Sequence, residues 1–215
     1  MIEVVPAILV KNKEEFAAKV AAVAPCVSRV QIDVMDGKFV PNETLAPEEF
    51  PPIPAGLLVE YHLMVQEPLE YVRRIGRKGA IYELHVESVK DVAAAIAQVK
   101  EMGGRVALAI SPDTPASSAA PFIKQVEHVL VMTVYPGFSG QKYLPAMEEK
   151  MRALKKLGAV VEVDGGVGTG TARSAAASGA TLIGAASAIF SQPAAKAAIE
   201  AIRKGAEEGA KARGK

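Results

Sequence analysis

Short apolar runs alternate with longer amphipathic ones along the whole chain. The short runs fall at 3–9, 28–34, 57–65, 80–87, 105–111, 128–134, 159–164 and 180–185, and they are rich in Val, Ile and Leu. Their length and composition predict buried strands. Between them, 13–23, 69–76, 89–102, 117–125, 145–157, 171–178 and 193–208 space their apolar positions as helices do. Only 35–56 breaks the rhythm: it is rich in Pro and reads as a long loop with one short turn near 47–50. Eight strands, each followed by a crossover, predict a parallel sheet, because parallel neighbours need long connections. An open doubly wound sheet is the rival to a closed barrel. It usually carries a Gly-rich turn after its first strand, and Pro6-Ala7-Ile8-Leu9-Val10 has none. The expectation is an α/β chain forming a single-domain (β/α)8 TIM barrel over 1–215, small for a fold of typically about 250 residues. The stretch 203–215 has little apolar periodicity and reads as a frayed tail.

Polar residues interrupt the strands at a spacing of two, which puts each pair on one face. The pairs are Gln31 and Asp33, Glu60 and His62, Glu83 and His85, and Glu162 and Asp164. Their alternates, such as Val30, Ile32 and Val34, are apolar and suit the helix layer, so the polar set points into the barrel. A buried carboxylate without a partner is costly. The deeper Glu60, Glu83 and Glu162 read as a structural network. Asp33, His62 and Asp164 lie at the C-terminal rim, where barrel enzymes keep their chemistry. His85 suits either role, and His128, at the start of a strand, reads as a surface residue.

Glycine supplies a second pattern. Pro136-Gly137-Phe138-Ser139-Gly140-Gln141 follows the sixth strand and Asp164-Gly165-Gly166-Val167-Gly168 the seventh, while Ala185-Ala186-Ser187-Ala188 ends the eighth. Each alone is an ordinary turn. Together at one end of adjacent strands they suit a backbone cradle for phosphate, which needs no basic side chain. Met35, Met64 and Met132 sit at or just past strand ends, either as adaptable core filling or as an apolar wall above the acids.

Composition narrows the function classes. There are 25 basic and 24 acidic residues, a formal charge of +1, so no broad field attracts nucleic acid. The chain has no Trp and is 5% aromatic, which argues against a base-stacking platform. No apolar run is long enough to span a bilayer, and the first residues enter a strand without a signal-peptide pattern. Cys26 is the single cysteine and has no internal disulfide partner. The expectation is a cytoplasmic protein without nucleic-acid or membrane partners that handles a small phosphorylated molecule and forms a homo-oligomer.

At this level of detail the chain resembles the ribulose-phosphate 3-epimerase family. The matching stretches are Asp33-Val34-Met35-Asp36-Gly37, Phe39-Val40-Pro41-Asn42, His62-Leu63-Met64-Val65 and Val131-Met132-Thr133-Val134. They continue with Pro136-Gly137-Phe138, Gly140-Gln141, Val163-Asp164-Gly165-Gly166-Val167 and Ser187-Ala188-Ile189-Phe190. The resemblance implies interconversion of ribulose 5-phosphate and xylulose 5-phosphate. Asp33 and Asp164 match the family's two proton-transferring acids. It also implies a divalent metal (Zn, Fe, Mn or Co) on Asp33, His62 and Asp164, with substrate contacts from His62, the three methionines and the loops Gly137–Gly140, Gly165–Gly166 and Ala186–Ser187.

The chain departs from the family at several points. Gln31 replaces the family's fourth ligand, a histidine, and an amide oxygen is a poorer zinc ligand that favours harder ions. The resemblance therefore implies a weakened or altered metal site, or an empty one. Ala7 replaces a serine, Ser139 a glycine, and Ala186 the first residue of a Gly-Ser pair, while Ser111 and Asp113 alter the loop after the fifth strand. Two other functions stay open at this stage: epimerisation of another ketose phosphate, such as a hexulose 6-phosphate, or a non-catalytic phosphosugar-binding or scaffold barrel. Retention of both aspartates weighs against the last.

Overall fold

The alternation of strand and crossover closes on itself. A computed structural model describes residues 1–213 and shows a closed (β/α)8 barrel. Its parallel strands run in chain order: β1 (Glu3–Ile8), β2 (Arg29–Met35), β3 (Leu58–Met64), β4 (Ile81–His85), β5 (Arg105–Ile110), β6 (Val129–Met132), β7 (Val161–Asp164) and β8 (Leu182–Ala185). Pairing of β8 with β1, from Glu3 opposite Leu182 to Pro6 opposite Ala185, excludes an open sheet. Outside lie α1 (Lys13–Val23), α2 (Pro68–Ile75), α3 (Val92–Glu101), α4 (Glu148–Lys156), α5 (Thr169–Ala177), α6 (Ser187–Phe190) and α7 (Ala195–Arg213). Local chemistry sets their ends: Asn12 caps α1 by accepting from the Glu15 N–H at 2.8 Å, and Asp91 caps α3 through the Ala94 N–H at 3.0 Å. Among the described residues no helix is long and apolar enough to cross a membrane.

The apolar strand face packs under these helices in one continuous cluster that includes Val30, Ile32, Val34, Leu63, Leu84, Leu108 and Val163. The long second connection carries the short turn its sequence suggests, a 3-10 turn at Pro47–Glu49. Phe50 follows it and stacks between Phe16 and Tyr61, with centroids 5.3 and 6.0 Å away.

Three expectations fail. The segment 117–125 forms two 3-10 turns, Ala116–Ser118 and Ala120–Gln125, because Pro121 lacks the N–H that an α-helix would use there. The tail does not fray: α7 continues to Arg213, while 214–215 lie outside the described residues. Its last turns are held by small residues that a count of large apolar positions overlooks. Gly205 approaches α5 so closely that a Cβ would stand 2.5 Å from the Thr169 carbonyl oxygen, and Gly209 leaves still less room beside Arg173. Arg173 also pairs with Glu208 at 2.6 Å.

The third correction concerns His128. It is 2% exposed, inside the barrel rather than on its surface. The inward face of β6 carries Leu130 and Met132, and the alternation extends one residue before the strand, turning His128 inward too. Its Nε2 lies 2.7 Å from Glu83 Oε1 and 2.8 Å from Glu162 Oε2. Arg29 donates from Nη1 to Glu60 Oε1 at 2.5 Å. Burial, and then neighbouring carboxylates, push the Glu60 carboxyl well up, and burial also raises Glu162. Burial opposes the charge on His128, but the surrounding glutamates outweigh it and raise its pKa.

The His128→Leu variant should lose about 3–5 kcal/mol of unfolding free energy near neutral pH, because two carboxylates lose their shared partner. Wild-type His128 has a raised pKa, so its contribution is full below pH 6.5, declines as pH rises above that, and is lost once pH passes the folded value. In the variant the raised glutamates take up protons as pH falls toward 4.5, so the deficit should shrink in that direction. Urea unfolding at pH 5 and pH 7.5 measures both effects.

Candidate active site

Register builds the site. Gln31 lies opposite Glu60, Asp33 opposite His62 and Met35 opposite Met64 on β2 and β3, while Met132 on β6 faces Asp164 on β7. Each inward residue near a strand's C-terminal end therefore meets a neighbour at the same height. Asp33 and Asp164, 6% and 8% exposed, surface at the floor of a cleft at the C-terminal end of the barrel. The cleft brings together Met35, Met64, Met132, Gly137, Phe138, Ser139, Gly140, Gly165, Gly166, Ala186 and Ser187. His62 and Gln31 remain fully buried beneath it.

The rim is tied down by polar contacts. Asp36 Oδ1 accepts from the Lys38 and Phe39 N–H groups, both at 2.9 Å, and Oδ2 from the Gln66 N–H at 2.8 Å, joining the loop after β2 to the loop after β3. Asn42 Nδ2 donates to the Gly137 carbonyl at 2.7 Å, joining it to the loop after β6. Gly165 and Gly166 have φ of 112° and 66°, and a Cβ on Gly166 would meet the Gln141 carbonyl oxygen at 2.7 Å. Close backbone approach thus accounts for this glycine pair, whose peptides border the cleft.

Below the floor, four side chains converge. The Gln31 amide nitrogen donates to Asp33 Oδ1 at 2.8 Å and Asp164 Oδ2 at 3.2 Å, and stands 3.3 Å from His62 Nδ1. His62 Nδ1 is itself 3.2 Å from Asp33 Oδ1. Burial, and secondarily the Asp33 charge, push the Asp164 carboxyl up to about 7, although His62 and the Gln31 amide pull the other way. Burial disfavours charge on His62, but the Asp33 hydrogen bond and the surrounding carboxylates outweigh it and raise its pKa to about 9. A carboxyl that titrates near neutrality beside a second carboxylate is a donor–acceptor arrangement for moving protons.

The same atoms suit a cation. One ligand atom from each of Asp33, His62 and Asp164 lies within 4.8 Å of the others, so these three residues fit a divalent metal. Gln31 presents nitrogen rather than oxygen to them, and its Oε1 is buried with no hydrogen-bond partner. Inverting the amide would offer that oxygen as a fourth donor.

Some residues flagged in the sequence stand apart from the cleft. Ala7 is buried beside Gln31 in the β1–β2 pairing, without lining the cleft. Ser111 and Asp113 also lie off it: the Ser111 N–H donates to Glu87 at 2.8 Å, and Asp113 accepts from the Tyr135 hydroxyl at 3.0 Å. Leu9, Val134 and Pro136 also line the cleft; Val134 and Pro136 fall within the stretches that carry the family resemblance, whereas nothing in the sequence points to Leu9.

Comparison with known proteins places the chain in a family. The profile of the Ribulose-phosphate 3 epimerase family matches residues 3–190. The chain is 39% identical over 191 residues to the cytoplasmic isoform of ribulose-phosphate 3-epimerase from Oryza sativa subsp. japonica, covering 83% of this chain and 82% of that one. It is 34% identical over 218 residues to ribulose-phosphate 3-epimerase from Bacillus subtilis, covering 94% and 99%. KGPDC from Streptococcus mutans shares the fold, with a TM-score of 0.71 at 11% identity, covering 96% of this chain and 98% of that one. The family profile spans most of the barrel and both aspartate-bearing strands, so the chain belongs to the ribulose-phosphate 3-epimerase family, a family of isomerases.

Proposed function

We propose that the protein interconverts ribulose 5-phosphate and xylulose 5-phosphate by proton transfer at C3. The observation that carries this reading is the pair of carboxylates, Asp33 and Asp164, meeting at the floor of a cleft bordered by glycine-rich loops. The phosphate would sit against backbone amides of the loops after β6, β7 and β8. That would place the sugar carbons over the acids. One aspartate takes the C3 proton, and the electron pair moves toward the C2 carbonyl to give an enediolate. The other aspartate, protonated, returns a proton to the opposite face of C3. Met35, Met64 and Met132 supply an apolar wall that limits water around this step.

The cation completes the proposal. Asp33, His62 and Asp164 would hold a divalent ion. When bound, that ion polarises the ketone and offsets negative charge on the enediolate oxygens. Gln31 tunes this site. Its amide nitrogen stands among the ligand atoms and favours their cation-free arrangement, so zinc should bind more weakly than with an imidazole there.

Incubation of the protein with ribulose 5-phosphate in deuterated water should place deuterium at C3 as xylulose 5-phosphate forms. Exchange confined to a six-carbon ketose phosphate would change the substrate, and no exchange with any ketose phosphate would refute an epimerase. Asp33→Asn and Asp164→Asn should each reduce exchange by about 10²–10⁴-fold with the barrel still folded. Wild-type rates in either would remove that residue from the mechanism. Gln31→His should tighten zinc binding, measured by chelator competition. An unchanged affinity would dissociate residue 31 from the cation.

A further inference from the structure

His62 faces Asp33 through one nitrogen, and its other nitrogen points into a buried relay. His62 Nε2 lies 2.9 Å from His85 Nε2, with the two rings nearly parallel at 22°. Both imidazoles are fully buried. Two nitrogens at this spacing share one proton: one donates and the other accepts. The direction is set farther out. His85 Nδ1 lies 3.2 Å from Glu87 Oε2, while Glu87 Oε1 accepts from the Ser111 N–H at 2.8 Å and from the Thr114 hydroxyl. Burial would raise the Glu87 carboxyl, but bonds from His85, Thr114 and Ser111 outweigh it and bring it down to about 2. The Ser111 hydroxyl, at 3.4 Å from His85 Nδ1, is a longer contact than the carboxylate.

An ionised carboxylate can only accept, so His85 carries its proton on Nδ1 and presents a lone pair at Nε2. His62 must then donate from its own Nε2. We propose that Glu87 and His85 are positioning residues that hold His62 in the tautomer protonated at Nε2, directing the Nδ1 lone pair to a divalent cation between Asp33 and Asp164. This rests on the cation reading above. Without a cation Nδ1 also carries a proton, toward Asp33, and this polarity makes it the proton that a cation displaces; the opposite polarity would retain it there. Outer partners of metal-binding histidines act in this way generally, and losing one costs about 10–100-fold in metal affinity. Here the outer partner is a second imidazole, itself oriented by a carboxylate on the turn after β4.

The test measures Zn²⁺ affinity of the full chain by chelator competition, with ¹⁵N-histidine NMR of the Zn²⁺-loaded protein. Wild type should bind Zn²⁺ with His62 protonated at Nε2 and metal-bound through Nδ1. His85→Phe, which keeps a ring but removes the acceptor, should weaken Zn²⁺ about 10–100-fold. His85→Gln, whose amide oxygen can accept the same N–H, should restore most of that loss. Glu87→Gln can turn an NH₂ toward His85 and reverse the polarity, so it should weaken binding about tenfold and carries the test if His85→Phe fails to fold. Unchanged affinity in the folded variants, failure of His85→Gln to rescue, or metal bound through His62 Nε2 would each overturn the relay alone. Absence of Zn²⁺ binding to wild type would overturn the cation reading and the relay with it.

Discussion

Charge inside a closed barrel is the constraint that the rest of this structure answers to. Strands in a ring leave water little access to the interior, so each inward carboxylate must find a donor or take a proton. The chain meets this demand in two tiers. In the lower one, Arg29 and His128 serve Glu60, Glu83 and Glu162, and burial raises the Glu60 and Glu162 pKa values. In the upper one, the Gln31 amide and His62 serve Asp33 and Asp164. The tiers have the same ingredients but different access: the lower glutamates are fully buried, whereas the aspartates reach the cleft. One tier suits holding the barrel together, the other exchanging a proton with a guest.

Much of this was legible from alternation alone. A parallel strand covered by helices has one apolar face, so the polar pairs from Gln31 and Asp33 to Glu162 and Asp164 could only point inward, and the register then fixed their heights. Two kinds of information were hidden. His128 precedes its strand, and periodicity says little about a residue at an element's edge. Gly205 and Gly209 work by omission: they let α7 close on α5 without a large apolar side chain, a contact that no hydrophobicity pattern registers. The relay behind His62 was half visible, because His85 belonged to a polar pair but Glu87 lay just beyond the strand, in a turn.

Gln31 shows how one substitution can be both accommodated and consequential. Its nitrogen satisfies two carboxylates and approaches an imidazole, so the site is electrostatically reasonable without a metal. The same fit leaves Oε1 buried and unpaired, a cost usually of about 1–3 kcal/mol. An amide is two-faced in a way that imidazole and carboxylate are not. Either end can meet the aspartates, and the preferred end depends on whether positive charge already stands between them.

The bonds from Asp36 and Asn42 have a further consequence, for the entropy of encounter. With the β2, β3 and β6 loops joined by a side-chain carboxylate and a side-chain amide, these segments need not fold around an arriving molecule. Ordering of these loops is thereby built into the fold itself, which lowers the conformational entropy that a guest entering this mouth would have to remove.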